Sequence, residues 1–292
     1  MGGGRATAAS RPKTLAAAFV PVLVGAALAF HDSLINWPVT VTALLCSFLI
    51  QIGTNFANDY FDHVNGADTP ERVGFERATA SGLIPPKHML IATILTMGLA
   101  FMFGLYLVAI GGWIVLAIGL LSLLFGILYT GGPYPLGYNG LGDIFVFIFF
   151  GIVAVMTTYY VNALEWSATS FWASLAVGGL CTNILVINNL RDVQQDREVG
   201  KRTLGVLFGE TFLKTEYTVM LLLSFAIPLH FFFKLDYNGW IFLPALLLPL
   251  AGIMAFTVWT EHEKPKLNGI LVKTSAFMTL FGILFSLGIV IG

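Results

Sequence analysis

The chain has 292 residues, of which 57% are apolar and only 11% charged, with a net charge of −1 and a mean hydropathy of +0.83. A soluble domain is roughly a quarter charged, so lipid is the solvent for most of this chain, and the near-zero charge excludes the global basic field that recruits nucleic acid. An unpartnered backbone amide costs several kcal/mol in hydrocarbon, which leaves helices or closed barrels as spanning structures. The apolar runs are about twenty residues long, the length of a helix across the bilayer core, and lack the two-residue alternation of barrel strands. The fold class is therefore all-α: a polytopic membrane protein, one transmembrane domain over 1–292, with residues 1–10 expected to be disordered.

In chain order, spans are predicted at 14–30, 39–58, 88–110, 113–130, 141–162, 169–190, 215–233, 239–259 and 271–291. Gly111-Gly112, Gly131-Gly132-Pro133 and Asn238-Gly239 punctuate them as turns. Pro21, Pro228, Pro244 and Pro249 fall inside spans, where membrane helices tolerate kinks. The first run follows Arg11 and Lys13 and ends in Ala27-Leu28-Ala29, the outline of a signal peptide; with so many spans behind it, it is read as a span itself. Cys46 and Cys181 stand apart in apolar runs, form no metal spacing, and are read as small buried side chains.

An N-terminus in the cytoplasm puts fourteen of the fifteen Lys and Arg on the cytoplasmic side, leaving only Lys234 outside. That is the asymmetry of the positive-inside rule, and dropping one span would scramble it. Acidic residues crowd the same side, in the second-to-third connection (Asp59, Asp62, Asp68, Glu71, Glu76) and the sixth-to-seventh (Asp192, Asp196, Glu198, Glu210). Acids do not set topology. A site on the cytoplasmic face accounts for them.

The first cluster has Asn55, Asp59 and Asp62 at i, i+4 and i+7, one polar stripe on a helix that continues from the second span. The second has Asn188, Asp192 and Asp196 four apart, again on one face. Facing carboxylate pairs repel in a partly desolvated region, so a cation belongs between them. Hard oxygen ligands without a Cys or His set select Mg²⁺, which binds through one or two carboxylates plus substrate phosphates. Arg72, Arg77, Arg191, Lys201 and Arg202 are candidates to neutralise a diphosphate held there, the arginines with forked contacts. Asp68, Glu198 and Glu216 taken singly read as caps or solvated residues, His63 as a surface neighbour, and Asp143 as a helix N-cap.

These residues resemble the UbiA superfamily of intramembrane aromatic prenyltransferases, over nearly the whole chain. The resemblance is carried by Arg11-Pro-Lys13-Thr-Leu15, Gln51-Ile-Gly-Thr-Asn55-Phe-Ala-Asn58-Asp59-Tyr-Phe-Asp62, Thr79-Ala-Ser81-Gly82, Tyr129-Thr-Gly-Gly-Pro133, Gly140-Leu-Gly142-Asp143 and Asn188-Asn-Leu-Arg191-Asp192-Val-Gln-Gln-Asp196-Arg197, followed by Gly200-Lys-Arg-Thr203-Leu. The Arg-Pro-Lys-Thr and Asn-Asn-Leu-Arg-Asp words favour the branch acting on 1,4-dihydroxy-2-naphthoate. The family's first motif would put its last acid at Gly66, and Asp68 arrives two residues later, so Asp68 is set apart from the metal set. The Tyr-x-x-x-Lys of hydroxybenzoate relatives is absent, since Tyr138 follows Tyr134 at the lysine position.

The resemblance implies nine helices around a central cavity with a polar cytoplasmic cap. It implies Mg²⁺ held by Asn55, Asp59, Asp62, Asp192 and Asp196, with Asn58 and the basic residues above on the diphosphate. It implies polyprenyl diphosphate and an aromatic acid as substrates, with Arg11, Lys13, Gln51 and Tyr138 as candidates for the aromatic acid. Another acceptor, such as 4-hydroxybenzoate, homogentisate, haem or chlorophyllide, is the alternative within the class. An ion-coupled transporter is the alternative outside it, though its carboxylates belong near the bilayer midplane. Oligomeric state is not legible.

Overall fold

The computed structural model describes residues 14–68, 73–75 and 77–292. Among them the regular structure is helical throughout: α1 (Ala16–His31), α2 (Trp37–Val64), α3 (Pro86–Leu128), α4 (Gly142–Ala163), α5 (Ala168–Glu198), the short α6 (Leu204–Phe208), α7 (Glu210–Lys234), α8 (Gly239–Thr260) and α9 (Lys264–Ile291). At about 1.5 Å per residue, the 43 residues of α3 are roughly twice as long as a bilayer core is thick. They do not run straight. Gly112 adopts φ 74° and ψ −162°, a region essentially closed to side-chain-bearing residues, and the helix breaks there into arms over 86–111 and 113–128. Counting both arms and omitting α6, the described residues form nine apolar helical segments, and seven of the helices are long and apolar enough to cross a membrane.

Local chemistry sets the ends. Asn36 caps α2 by accepting from the Val39 amide, with Pro38 in the first turn. Ser167 caps α5 by accepting from Ser170. Both motif helices outrun their predicted spans, α2 to Val64 and α5 to Glu198. The overhang is where the acids lie: carboxylates are expelled from hydrocarbon, but the helical hydrogen-bond pattern continues past the apolar run.

Helix α5 is the hub. Its most apolar stretch is 78% buried inside the protein, against 11% for α3. It packs on α4, α7 and α9, and glycines allow the closest approach: a Cβ at Gly151 of α4 would come within 2.6 Å of the Gly178 Cα of α5. Helix α3 lies at the periphery and shows Ile94, Leu95, Met102 and Trp113 to the lipid. Between 147 and 153, α4 widens into a π turn, which puts Phe149, Phe150 and Val153 on the wall of an internal cavity.

The two faces of the bundle are distinguishable. On one, the ends of α2 and α5 meet the 77–84 loop, the α3–α4 connection and the start of α9. On the other, Asn162 accepts from the Asn36 amide, the Tyr159 hydroxyl donates to Asp32, and Tyr160 donates to the Gly111 carbonyl. The site lies wholly on the first.

The break at Gly112 gives a direct test. Gly112→Ala should cost about 1–3 kcal/mol, lowering the thermal midpoint in detergent, whereas Gly98→Ala, on the same helix with open space at its Cβ, should leave it unchanged.

Candidate active site

A cavity of about 400 Å³ opens between α1, α2, α3, α4 and α5. Its mouth is polar, walled by Asn55, Asn58 and Asp62 from α2, Asn188, Asp192 and Asp196 from α5, and Arg77, Tyr138, Arg191, Lys201 and Thr203 around them. Its depth is apolar. Phe145 and Phe149 stack there and Phe125 tilts against both, with ring centroids 5.0–5.9 Å apart.

Helical register builds the mouth. On α2 the stripe Gln51, Asn55, Asp59, Asp62 rises along one side, all four buried. On α5 the row Asn188, Asp192, Asp196 faces it. Asp62 is the centre of the cluster. Arg77 Nη2 lies 2.5 Å from its Oδ2, the Tyr138 hydroxyl donates to its Oδ1 at 2.6 Å, and Lys201 Nζ approaches the same oxygen at 3.3 Å. Lys201 also lies 4.0 Å from Asp196 and sits over the Tyr138 ring, 4.3 Å from its centroid. Arg191 grips Asp192 with two nitrogens, at 2.7 and 2.6 Å. Burial, and then the Asp62 charge, push the Tyr138 phenol well above the ordinary tyrosine range, so it stays a donor.

Of the predicted site residues, Asn55, Asn58, Asp62, Arg77, Arg191, Asp192, Asp196, Lys201, Gln51 and Tyr138 converge on the cavity. Asp59 does not line it: 1% exposed, it accepts from the backbone amides of Ala78 (3.1 Å) and Thr79 (2.9 Å) and so ties the loop between α2 and α3 to α2. Arg202 is exposed and off the wall, engaged through its backbone amide with the Tyr138 carbonyl. Arg11, Lys13 and Arg72 lie outside the described residues.

Three residues enter in roles that the sequence reading did not give them. Asp68 is almost fully buried, with an oxygen 3.6 Å from Arg77 Nε, and so belongs to the cluster rather than to solvent. Asn268, at the start of α9, accepts from Arg191 Nη1 at 2.8 Å and donates to the Val73 carbonyl at 3.0 Å. Asp143 sits inside the first turn of α4 rather than at its N-cap, where Asn189 donates to it at 3.3 Å. Asp68 had a readable signal in its nearness to the first motif; Asn268 had none.

The donor set suits a hard divalent ion. Around the mouth the described residues provide five carboxylates (Asp59, Asp62, Asp68, Asp192, Asp196) and three cations (Arg77, Arg191, Lys201), a surplus of negative charge with oxygen donors only. Among the described residues no three His, Cys, Asp or Glu converge as a ready-made metal cage. Magnesium takes one or two protein carboxylates and completes its shell with phosphate and water. Arg77 Nη1 is buried on the cavity wall without a hydrogen-bond partner among the described residues, a donor available to an anion.

The chain matches the UbiA prenyltransferase family over residues 18–286. It belongs to that family. It is 39% identical to the 1,4-dihydroxy-2-naphthoate octaprenyltransferase of Escherichia coli, over 96% of this chain and 92% of that one. It is 35% identical to the enzyme of the same name from Haemophilus influenzae, over 97% and 94%. A UbiA homolog from Archaeoglobus fulgidus, solved bound to DMAPP and Mg²⁺, shares the fold with a TM-score of 0.68 at 14% identity, covering 98% of this chain and 99% of that one. The chain is thus a UbiA-fold prenyltransferase.

In this UbiA-family site Asp62 holds Arg77 and Lys201 in charge balance. Removing one partner of a buried pair costs about 3–5 kcal/mol because the other charge is stranded. Asp62→Ala should therefore lower the thermal midpoint well below that of Asp62→Asn, which still accepts from Tyr138, while prenyl transfer is lost in both.

Proposed function

We propose that this chain transfers a polyprenyl group from polyprenyl diphosphate to 1,4-dihydroxy-2-naphthoate, with loss of CO₂, at the cytoplasmic face of the cell membrane. The observation that carries the reading is the division of one cavity into a carboxylate-and-arginine mouth and an aromatic, apolar depth. The naphthoate octaprenyltransferases it resembles support the acceptor, and the fourteen basic residues on one side support the orientation.

Asn55, Asp59, Asp62, Asp192 and Asp196 are the oxygen donors that would hold Mg²⁺, whose chemistry there is to neutralise charge on the departing diphosphate. Arg77, Arg191 and Lys201, held against carboxylates in this structure, are placed to turn toward the diphosphate oxygens, and Arg72 is assigned the same role. Tyr138, kept protonated, holds Asp62 in place by a short hydrogen bond. Below the mouth the apolar walls exclude water, which would otherwise quench the allylic cation. The faces of Phe125, Phe145 and Phe149 can stabilise it. The electron-rich naphthalene ring attacks the allylic carbon as its C–O bond breaks, and the ring carboxylate leaves as CO₂. The prenyl tail runs between helices into the bilayer. Arg11 and Lys13 are assigned to the naphthoate carboxylate.

Purified protein supplied with a polyprenyl diphosphate and 1,4-dihydroxy-2-naphthoate, with and without Mg²⁺, should give the prenylated, decarboxylated quinol only with the metal, as read by mass spectrometry. Product from 4-hydroxybenzoate alone would keep the mechanism and move the acceptor. No product from any acceptor would sink the reading. Lys201→Ala should raise the KM for the diphosphate roughly tenfold and that for the naphthoate much less; equal rises would remove Lys201 from the diphosphate.

A further inference from the structure

The cavity wall carries an amide that is left part-satisfied among the described residues. Gln51 lies one helical turn below Asn55 on α2, about 6 Å closer to the membrane interior, and is 7% exposed. Its Nε2 donates to the Thr14 hydroxyl at 3.1 Å, as does Asn55 Nδ2. Its Oε1 is buried, with no hydrogen-bond partner among the described residues, and the side chain lines the cavity. A hydroxyl can accept or donate, so whichever way the amide is turned, one end meets Thr14 and the other meets the cavity. A buried polar group in a hydrocarbon setting is stable only when something supplies its partner.

The chemistry of that partner is narrow. The cations on the cavity wall among the described residues are Arg77, Arg191 and Lys201, all at the mouth. Among the described residues, then, the charges that would neutralise a carboxylate lie at the mouth rather than beside Gln51. A neutral aryl hydroxyl both donates and accepts, and so suits either end of an amide. In 1,4-dihydroxy-2-naphthoate the carboxylate neighbours the 1-hydroxyl, and the 4-hydroxyl is across the ring. Turning the carboxylate toward the cationic mouth turns the 4-hydroxyl inward.

We infer that Gln51 binds the 4-hydroxyl of the acceptor, two ring positions from the carboxylate, and so sets both the orientation of the ring and the choice of a dihydroxylated acceptor. This rests on the reading above. It makes Gln51 a specificity-determining residue: the carboxyl-bearing edge of the ring, where the new bond forms, is presented to the diphosphate end because the far edge is held by the amide. An acceptor lacking the far hydroxyl leaves the amide unpaired, and sites built to bond a hydroxyl reject such analogues strongly.

The test is binding without prenyl donor, so that ring reactivity plays no part. Dissociation constants for 1,4-dihydroxy-2-naphthoate and 1-hydroxy-2-naphthoate are measured anaerobically by equilibrium dialysis on the full chain and on Gln51→Met, which keeps the length and removes the polar end. Gln51→Met should weaken the dihydroxy compound by at least about tenfold and the monohydroxy compound by less than about threefold, closing the gap between them. Equal weakening of both would mean that Gln51 serves only to hold Thr14 and the entry to α1, and no weakening would place the hydroxyl elsewhere; either overturns the inference. If Gln51→Met does not fold, Gln51→Glu carries the same comparison: it keeps an acceptor oxygen and should preserve the discrimination, and losing it would overturn the inference. Failure of the wild-type chain to bind either naphthoate would instead overturn the acceptor reading beneath it, and is seen before any variant is made.

Discussion

The structure depends on a balance of charge where two helices leave the membrane. Asp59, Asp62, Asp68, Asp192 and Asp196 are gathered at a low-dielectric boundary, where their mutual repulsion is poorly screened. The fold tolerates this because Arg77, Lys201 and Arg191 are threaded among them. Among the described residues three cations stand among five carboxylates, an arrangement of oxygen donors and cations that suits the mouth to a divalent ion accompanied by an anionic substrate. The same guanidinium and ammonium groups that stabilise the protein in this arrangement are the ones a diphosphate would recruit. Ligand binding is then an exchange of partners rather than the burial of new charge.

The exchange needs a rigid frame, and the frame is α5. Buried along most of its length, it fixes the second row of acids. α2, held against α3 and α1, fixes the first. Asp59 spans the two requirements. In this structure its carboxylate receives two backbone amides of the loop that carries Arg77, so it sets the position of that arginine as well as being a candidate metal ligand. Asn268 acts likewise on the other arginine, linking Arg191 to the Val73 carbonyl. Each arginine on the described wall, already paired with a carboxylate, is thus positioned by further hydrogen bonds to its loop or its guanidinium.

Much of this was legible in the sequence because it follows from register. Acids three or four apart on a helix share a face whatever the tertiary structure, so Asp59 with Asp62, and Asp192 with Asp196, could be read as stripes. The Gly-Gly pair marked the break between the third and fourth spans because only glycine reaches the backbone angles found at Gly112. What escaped depends on chain reversals. Asp68 reaches Arg77 only because the loop after α2 folds back; no helical spacing encodes that. Asn268 meets Arg191 across 77 residues of chain. Arg202 illustrates the opposite error: it is basic and next to Lys201, but in a non-helical segment neighbouring side chains diverge, and its side chain faces outward.

The mouth and the depth make opposite demands on water, and their separation within one cavity is what the geometry achieves. Diphosphate departure is helped by charges that must be hydrated or paired before substrate arrives; an allylic cation survives only where water is excluded. Asn55 and Gln51 lie at the boundary, uncharged, on the same stripe as the acids and one and two turns below Asp59. Replacing acids by amides along α2 grades the wall from charged to polar to apolar over a few turns. An acceptor with a carboxylate at one edge and a hydroxyl at the other has the same gradient in its own structure, and would lie along the wall in only one sense.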